Sequence, residues 1–220
     1  MDATPVLVAL WVAFAATHMG MSSQRFRPRL VAALGDRAFQ GVYSLVALAI
    51  FVPLVWVYFA HKHQGAPLWF FGSVPGLRTA MYLGMAFAFA LLACGLARPS
   101  PVSMMPGRAD VRGVLRVTRH PVFMAAGLWG LLHLCVASVT TTELAFFGGF
   151  PVFAVLGSRH QDARKLAAGS EEFRRFHAET SLLPDPRGIV AAVRDDPLPA
   201  GIGVALAVVI RIFHPTLFGP

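Results

Sequence analysis

Long apolar runs separated by short polar loops dominate the chain. Six runs, over residues 5–23, 39–60, 78–98, 121–138, 142–158 and 197–214, approach the roughly 20 residues that a helix needs to cross a bilayer. Only a few polar residues separate the fourth run from the fifth, so these two are expected to form an antiparallel hairpin. The pattern predicts an all-α, polytopic integral membrane protein: one membrane domain, 1–220, with about six transmembrane helices.

The composition agrees with this class and gives the chain an orientation. Charged residues make up 14% of the sequence, whereas soluble domains carry about 25%. Of the 19 Lys and Arg, 16 fall in the loops after the first, third and fifth runs. The positive-inside rule therefore predicts cytoplasmic basic loops, with both termini outside, in a bacterial-type inner membrane. The net charge of +8 is then explained by topology and membrane lipid, and nucleic acid is not expected as a partner.

The loop after the fifth run has a pattern of its own. In residues 159–196, Leu166, Phe173 and Phe176 recur among charges at near-helical spacing. This favours an amphipathic helix on the cytoplasmic membrane surface, ended by Pro184 and Pro186.

Two histidines inside apolar runs are the strongest candidates for chemistry. His18 lies near the cytoplasmic end of the first run, and His133 lies about 18 Å along the fourth. A buried imidazole is costly in a membrane, so each is expected to have a partner: a carbonyl or headgroup for His18, a helix–helix hydrogen bond for His133, or a metal for both. Neither helix carries an acid, and the chain has no Cys-x-x-Cys-His motif, so a shared metal would be the iron of non-covalent haem b.

Other residues of the fourth run form the candidate cofactor contacts. Ala126, Gly130, His133 and Ala137 share one helical face, a groove of small residues that admits a helix or a flat ligand. Arg119 and His120 precede Pro121 at the membrane surface, either as a basic anchor and helix start or as contacts to an anionic group. The predicted boundaries leave His18 and His133 about 10 Å apart in depth, although two axial ligands must share one iron.

The same residues carry a family resemblance. The run Gly113–Pro121, Gly-Val-Leu-Arg-Val-Thr-Arg-His-Pro, is followed by Leu128–His133, Leu-Trp-Gly-Leu-Leu-His. Together with His18 and the run 169–173, Gly-Ser-Glu-Glu-Phe, they resemble the NnrU family, and within it the haem-dependent zeta-carotene isomerases. The resemblance extends over nearly the whole chain.

This resemblance implies a function and a set of roles. It implies a haem-b-dependent cis–trans isomerase of zeta-carotene or a similar lipid-soluble polyene, with His18 and His133 as catalytic axial ligands and an electron donor that keeps the iron reduced. The isomerases have a cysteine where this chain has Gly130, so a histidine–cysteine ligand exchange is not expected here. Two alternatives stay open: a non-catalytic haem protein that handles nitric oxide or electrons, and an S-adenosylmethionine-dependent methyltransferase of the isoprenylcysteine type.

Overall fold

The computed structural model describes residues 2–71, 73–103, 107–135 and 138–218. In chain order the elements are α1 (Thr4–Met21), α2 (Arg27–Leu34), α3 (Asp36–His61), β1 (Pro67–Phe70), α4 (Leu77–Ala97), a 3-10 turn (Gly113–Arg116), α5 (Pro121–His133), β2 (Ser138–Thr140), α6 (Thr141–Ala167), α7 (Glu171–Glu179), a second 3-10 turn (Pro186–Gly188), α8 (Ile189–Asp195) and α9 (Pro197–Phe218). The all-α class is therefore confirmed, apart from one short strand pair.

Five of these helices, α1, α3, α4, α6 and α9, are long and apolar enough to cross a membrane. Their outer faces carry exposed apolar side chains, among them Trp56 at 69% and Leu198 at 73% exposure. A protein in water rarely exposes apolar surface on this scale, whereas lipid solvates it. These five correspond to five of the six predicted spans.

The fourth predicted span differs from the structure. α5 has 13 residues, about 20 Å of helix, which is short of the roughly 30 Å of a bilayer core. The described chain beyond it forms β2, which pairs antiparallel with β1. Of the predicted small-residue face, Ala137 lies outside the described residues.

Packing arranges the helices in a row. α9 packs on α4, α4 on α5, α5 on α6, and α6 on α1, which also packs on α3. The α5–α6 contact confirms the predicted hairpin. A capping box begins α6, with Thr140 as N-cap and Glu143 as its partner.

The two ends of the helices differ in their side chains. We call the end of the helices near β1 and β2 the strand end. The opposite end, which carries Arg27, Arg119 and Arg164, is the basic end.

The sequence predicted one surface helix in the segment 159–196, whereas the structure divides this segment among several helices. α6 continues to Ala167, and Gly169, with φ +80°, separates it from α7. Phe173 and Phe176 on α7 are 5% and 1% exposed because they pack into a core cluster with Val114 and Leu115. The apolar face of α7 therefore covers protein and not the membrane surface.

Candidate functional site

His18 lies one turn before the end of α1, among aromatic rings. Its imidazole stacks on Phe14, with ring centroids 5.2 Å apart, and contacts Tyr43 at 4.6 Å and Phe153 at 5.3 Å. Among the described residues, its buried Nδ1 has no hydrogen-bond partner. Buried polar atoms are nearly always satisfied, so this unpartnered nitrogen makes His18 a candidate ligand; the buried Nδ1 of His120 has no partner among the described residues either.

A cavity of about 370 Å³ opens beside His18 at the basic end. Aromatic side chains form part of its wall: Phe39, Tyr43 and Phe123. Its polar lining includes one further imidazole and three cations: His160, Arg27, Arg164 and Lys165. None of the lining residues that the structure describes is acidic. The cavity therefore suits a ligand with an apolar body and an anionic edge.

His133 lies at the C-terminal end of α5, in a different environment. Its ring stacks on Phe147 at 4.5 Å, with 12° between the planes, and contacts Trp129 at 4.3 Å. Its Nδ1 is 2.8 Å from the Trp129 carbonyl oxygen, which can only accept. Nδ1 therefore carries the hydrogen and Nε2 the lone pair, the tautomer that metal-ligating histidines usually have.

The two predicted ligands contact different levels of α6. His18 contacts Phe153 and His133 contacts Phe147, positions about 9 Å apart along a helix axis. Phe150 lies between these levels, in contact with Trp11 and Trp129. Metal–imidazole bonds are about 2 Å long, so two axial nitrogens stand about 4 Å apart. His133 is not among the described residues that line the cavity beside His18.

Arg119 and His120 bind a carboxylate of the protein itself. Arg119 donates from Nε and Nη2 to Asp162 Oδ2, at 2.9 and 2.8 Å, and His120 Nε2 lies 2.9 Å from Oδ1. Arg119 Nη1 also donates to the Thr180 carbonyl oxygen at 2.7 Å. The hydrogen bonds of Arg119 and His120 thus connect the start of α5 with α6 and with the segment after α7. In this arrangement the two side chains stabilise the fold at the basic end.

Gly130 contacts protein rather than open space. A Cβ at this position would lie 2.5 Å from the Phe147 carbonyl oxygen and 2.8 Å from Phe150 Cβ. The absence of a side chain at Gly130 therefore lets α5 approach α6 closely. In the structure this part of the predicted groove is filled by α6.

Comparison with known proteins agrees with the sequence motifs. Residues 6–220 match the family profile described as NnrU protein. The chain belongs to the NnrU family.

Two curated relatives of this NnrU protein carry the name 15-cis-zeta-carotene isomerase, chloroplastic. The protein from Arabidopsis thaliana is 25% identical over 187 residues, which are 81% of this chain and 48% of the relative. The protein from Zea mays is 23% identical over 187 residues, 81% of this chain and 49% of the relative. The chain thus spans about half the length of the curated relatives it matches. No solved structure matches it.

Sequence reasoning about this NnrU protein missed His160 and Arg164. Both follow the predicted end of the fifth span at residue 158, and the structure places them on the last turns of α6. Gly157, His160 and Arg164 recur at helical spacing, which would have revealed a common face if the helix had been extended past its first charges. Tyr43 gave no sequence signal, because only the packing of α3 on α1 brings it to His18.

Proposed function

We propose that this NnrU protein is a haem-b-dependent cis–trans isomerase of zeta-carotene or a similar lipid polyene. The names of the two curated relatives support the reaction and the substrate class. The observation that supports haem is the orphaned Nδ1 of His18 beside a cavity with aromatic walls, three cations and no described acid. These residues fit a haem, whose porphyrin is flat and apolar and whose propionates are anionic.

A porphyrin also accounts for the small number of protein ligands. Within the described ranges, no three His, Cys, Asp or Glu side chains cluster as a protein-only metal site. Haem iron takes four nitrogens from the porphyrin and needs only axial ligands from the chain. His18 is proposed as one axial ligand. For the second, the apolar pattern and the family resemblance both predict His133, whose contact with α6 lies about 9 Å along that helix from the contact that His18 makes.

The chain's own part in the reaction is to bind and orient. Reduced haem iron would supply electron density to the polyene and so lower the barrier to rotation about a cis double bond. His18 would hold the iron, and its contacts with Phe14 and Tyr43 would fix the imidazole plane. A polyene dissolves only in the bilayer, so the exposed apolar faces of the long helices suit its approach. An external electron donor remains part of the proposal.

The methyltransferase alternative gains no support from the basic end. Arg119 donates two hydrogen bonds to Asp162, and His120 Nε2 lies 2.9 Å from the same carboxylate, so the Arg119 guanidinium is already engaged and is not free to bind the carboxylate of a methyl donor. A non-catalytic haem protein is retained as an outcome of the test below.

The test combines a spectrum with an activity assay. Detergent-purified protein should show a haem Soret band in oxidised and reduced forms, and should convert 15-cis-zeta-carotene to its trans isomer, followed by chromatography, only after reduction. His18→Ala should lose both. The matched control is His61→Ala, which removes a helical imidazole bonded to its own helix at the Val57 carbonyl. Full haem and unchanged turnover in His18→Ala would refute the proposal, and haem without turnover in the reduced wild type would favour the non-catalytic alternative.

A further inference from the structure

Three cationic side chains meet in the wall of the cavity beside His18. Arg27 begins α2, and Arg164 and Lys165 lie on the last turn of α6, so two elements contribute to one cluster. Each of these charges interacts unfavourably with the other two. No acidic side chain among the described residues forms an ion pair with any of them. Like charges that a fold holds together in a cleft attract an anion.

The guanidinium of Arg164 has hydrogen-bonding capacity that the protein leaves unused. Its Nε is buried and has no hydrogen-bond partner in the described part of the chain. The Arg27 guanidinium lies over the Phe39 ring, 5.7 Å from its centroid, and this contact holds the second cation of the cluster in place. A guanidinium is a fixed fork of donors that matches the oxygens of a phosphate or a carboxylate. A bound oxyanion would therefore satisfy Arg164 and reduce the repulsion within the cluster.

The position of the cluster along α6 indicates where this anion comes from. α6 has 27 residues and is about 40 Å long, close to the thickness of a bilayer with its headgroups. Its last turn, which carries two of the three cations, therefore reaches the level of the lipid headgroups. Basic pockets between transmembrane helices bind the phosphates of anionic lipids at this level.

The rest of the cavity wall favours a lipid over a free anion. Phe39, Tyr43 and Phe123 give one part of the wall an aromatic surface, which an inorganic anion would leave uncovered. A phospholipid has both parts that the cavity accommodates, because its phosphate is joined to apolar acyl chains. Burial of those chains against the aromatic side chains would add to the attraction between the phosphate and the cations.

We infer that Arg27, Arg164 and Lys165 bind the headgroup phosphate of an anionic phospholipid, whose apolar part contacts the aromatic side of the same cavity. This inference goes beyond the proposed function, because the lipid site needs neither iron nor a polyene. A haem placed in this cavity as proposed above would offer its propionates to the same cations. Haem bound there should therefore displace the lipid.

The first test measures lipid binding to haem-free, full-length protein in detergent by native mass spectrometry. Dioleoyl phosphatidylglycerol should bind at least about tenfold more tightly than dioleoyl phosphatidylcholine, whose headgroup has no net charge. Arg164→Gln should remove most of this preference. The matched control is Arg175→Gln, the same substitution at an exposed site on α7, which should keep it. Equal affinity of the wild type for the two lipids would overturn the inference.

A second variant covers the case in which Arg164→Gln does not fold. Lys165→Gln removes one cation of the cluster and leaves the buried Nε of Arg164 in place, and it should also weaken the preference for phosphatidylglycerol. A full preference in a folded Arg164→Gln or Lys165→Gln protein would show that the lipid binds elsewhere and would overturn the inference.

Inorganic phosphate distinguishes a lipid site from a site for a free anion. A large molar excess of inorganic phosphate should leave phosphatidylglycerol bound, because the free anion makes no contact with the aromatic part of the wall. Displacement of the lipid by inorganic phosphate would assign the cations to a free phosphate and overturn the lipid assignment.

Addition of haem separates a failure of this inference from a failure of the proposed function. Release of bound phosphatidylglycerol on haem binding would support both. Protein that binds haem and keeps the lipid would support the lipid site and place the haem outside this cavity, against the site proposed for it. Protein that binds haem but has no lipid preference in its haem-free form would overturn this inference and leave the haem proposal intact.

Discussion

Asp162 is the residue whose replacement should damage the fold most at the basic end. Both of its carboxylate oxygens are used: Oδ2 accepts two hydrogen bonds from Arg119, and Oδ1 lies 2.9 Å from His120 Nε2. The Asp162, Arg119 and His120 side chains are 8%, 9% and 1% exposed. Asp162→Ala therefore leaves a buried guanidinium without its counterion.

The expected loss of stability in Asp162→Ala follows from the burial of the ion pair. Removing one partner of a buried ion pair destabilises a protein by about 3–5 kcal/mol, because the remaining charge is left uncompensated. The Arg119 bond to the Thr180 carbonyl oxygen remains in the variant and places the expected loss toward the lower part of that range. Asp162→Asn should lose less, since the amide oxygen still accepts one hydrogen bond.

The assay is reversible denaturation in detergent, followed by circular dichroism. The matched control is Arg187→Ala, which removes the 90% exposed partner of an ion pair with Asp185; its midpoint should stay at the wild-type value. Arg119→Met combined with Asp162→Leu should recover part of the stability lost in Asp162→Ala, since no guanidinium is then left without a counterion, while His120 still lacks its partner. A free energy of unfolding within about 1 kcal/mol of the wild type for Asp162→Ala would refute the reasoning.

Three further predictions concern packing, capping and pH. Gly130→Ala should destabilise by about 1–3 kcal/mol through overpacking between α5 and α6, whereas Gly148→Ala, with its nearest contact at 3.5 Å, should not destabilise in the same unfolding assay. Thr140→Val should cost about 1 kcal/mol through loss of the α6 cap, and Thr140→Ser should retain it. The Gly113 amide, donating at 2.9 Å, holds the pKa of Asp195 below its usual value. That stabilisation is present above about pH 4 and lost as the pH falls through the folded pKa, so Asp195→Asn should weaken the acid dependence of unfolding; an unchanged acid limb would contradict it.

The apolar pattern predicted five of the long helices to within a few residues at most boundaries, except where a helix continued into charged sequence. α6 was predicted to end at residue 158 because charges follow there, yet it runs to Ala167. Hydropathy identifies where a helix contacts lipid and does not register a helix that continues beside other protein elements. The same limitation hid His160, which lies on that extension.

The sequence predicted which residue types form the candidate site better than it predicted which side chains contact one another. His18 was identified because an imidazole in an apolar run needs a partner, and the structure places it beside a cavity with its Nδ1 unsatisfied. Its pairing with His133, which followed from the two apolar runs and from the family resemblance, stays a prediction. Arg119 was considered as a cofactor contact, and only the fold showed that Asp162 occupies it.

The sequence by itself determined the class of this protein, because transfer of apolar side chains to lipid depends on local composition and run length alone. It also determined family membership and His18 as a candidate ligand. The tertiary structure decided which groups meet, since a contact between α1 and α6 depends on how helices pack and not on spacing along the chain. That packing separates His18 from His133 and places His160 and three cations beside His18.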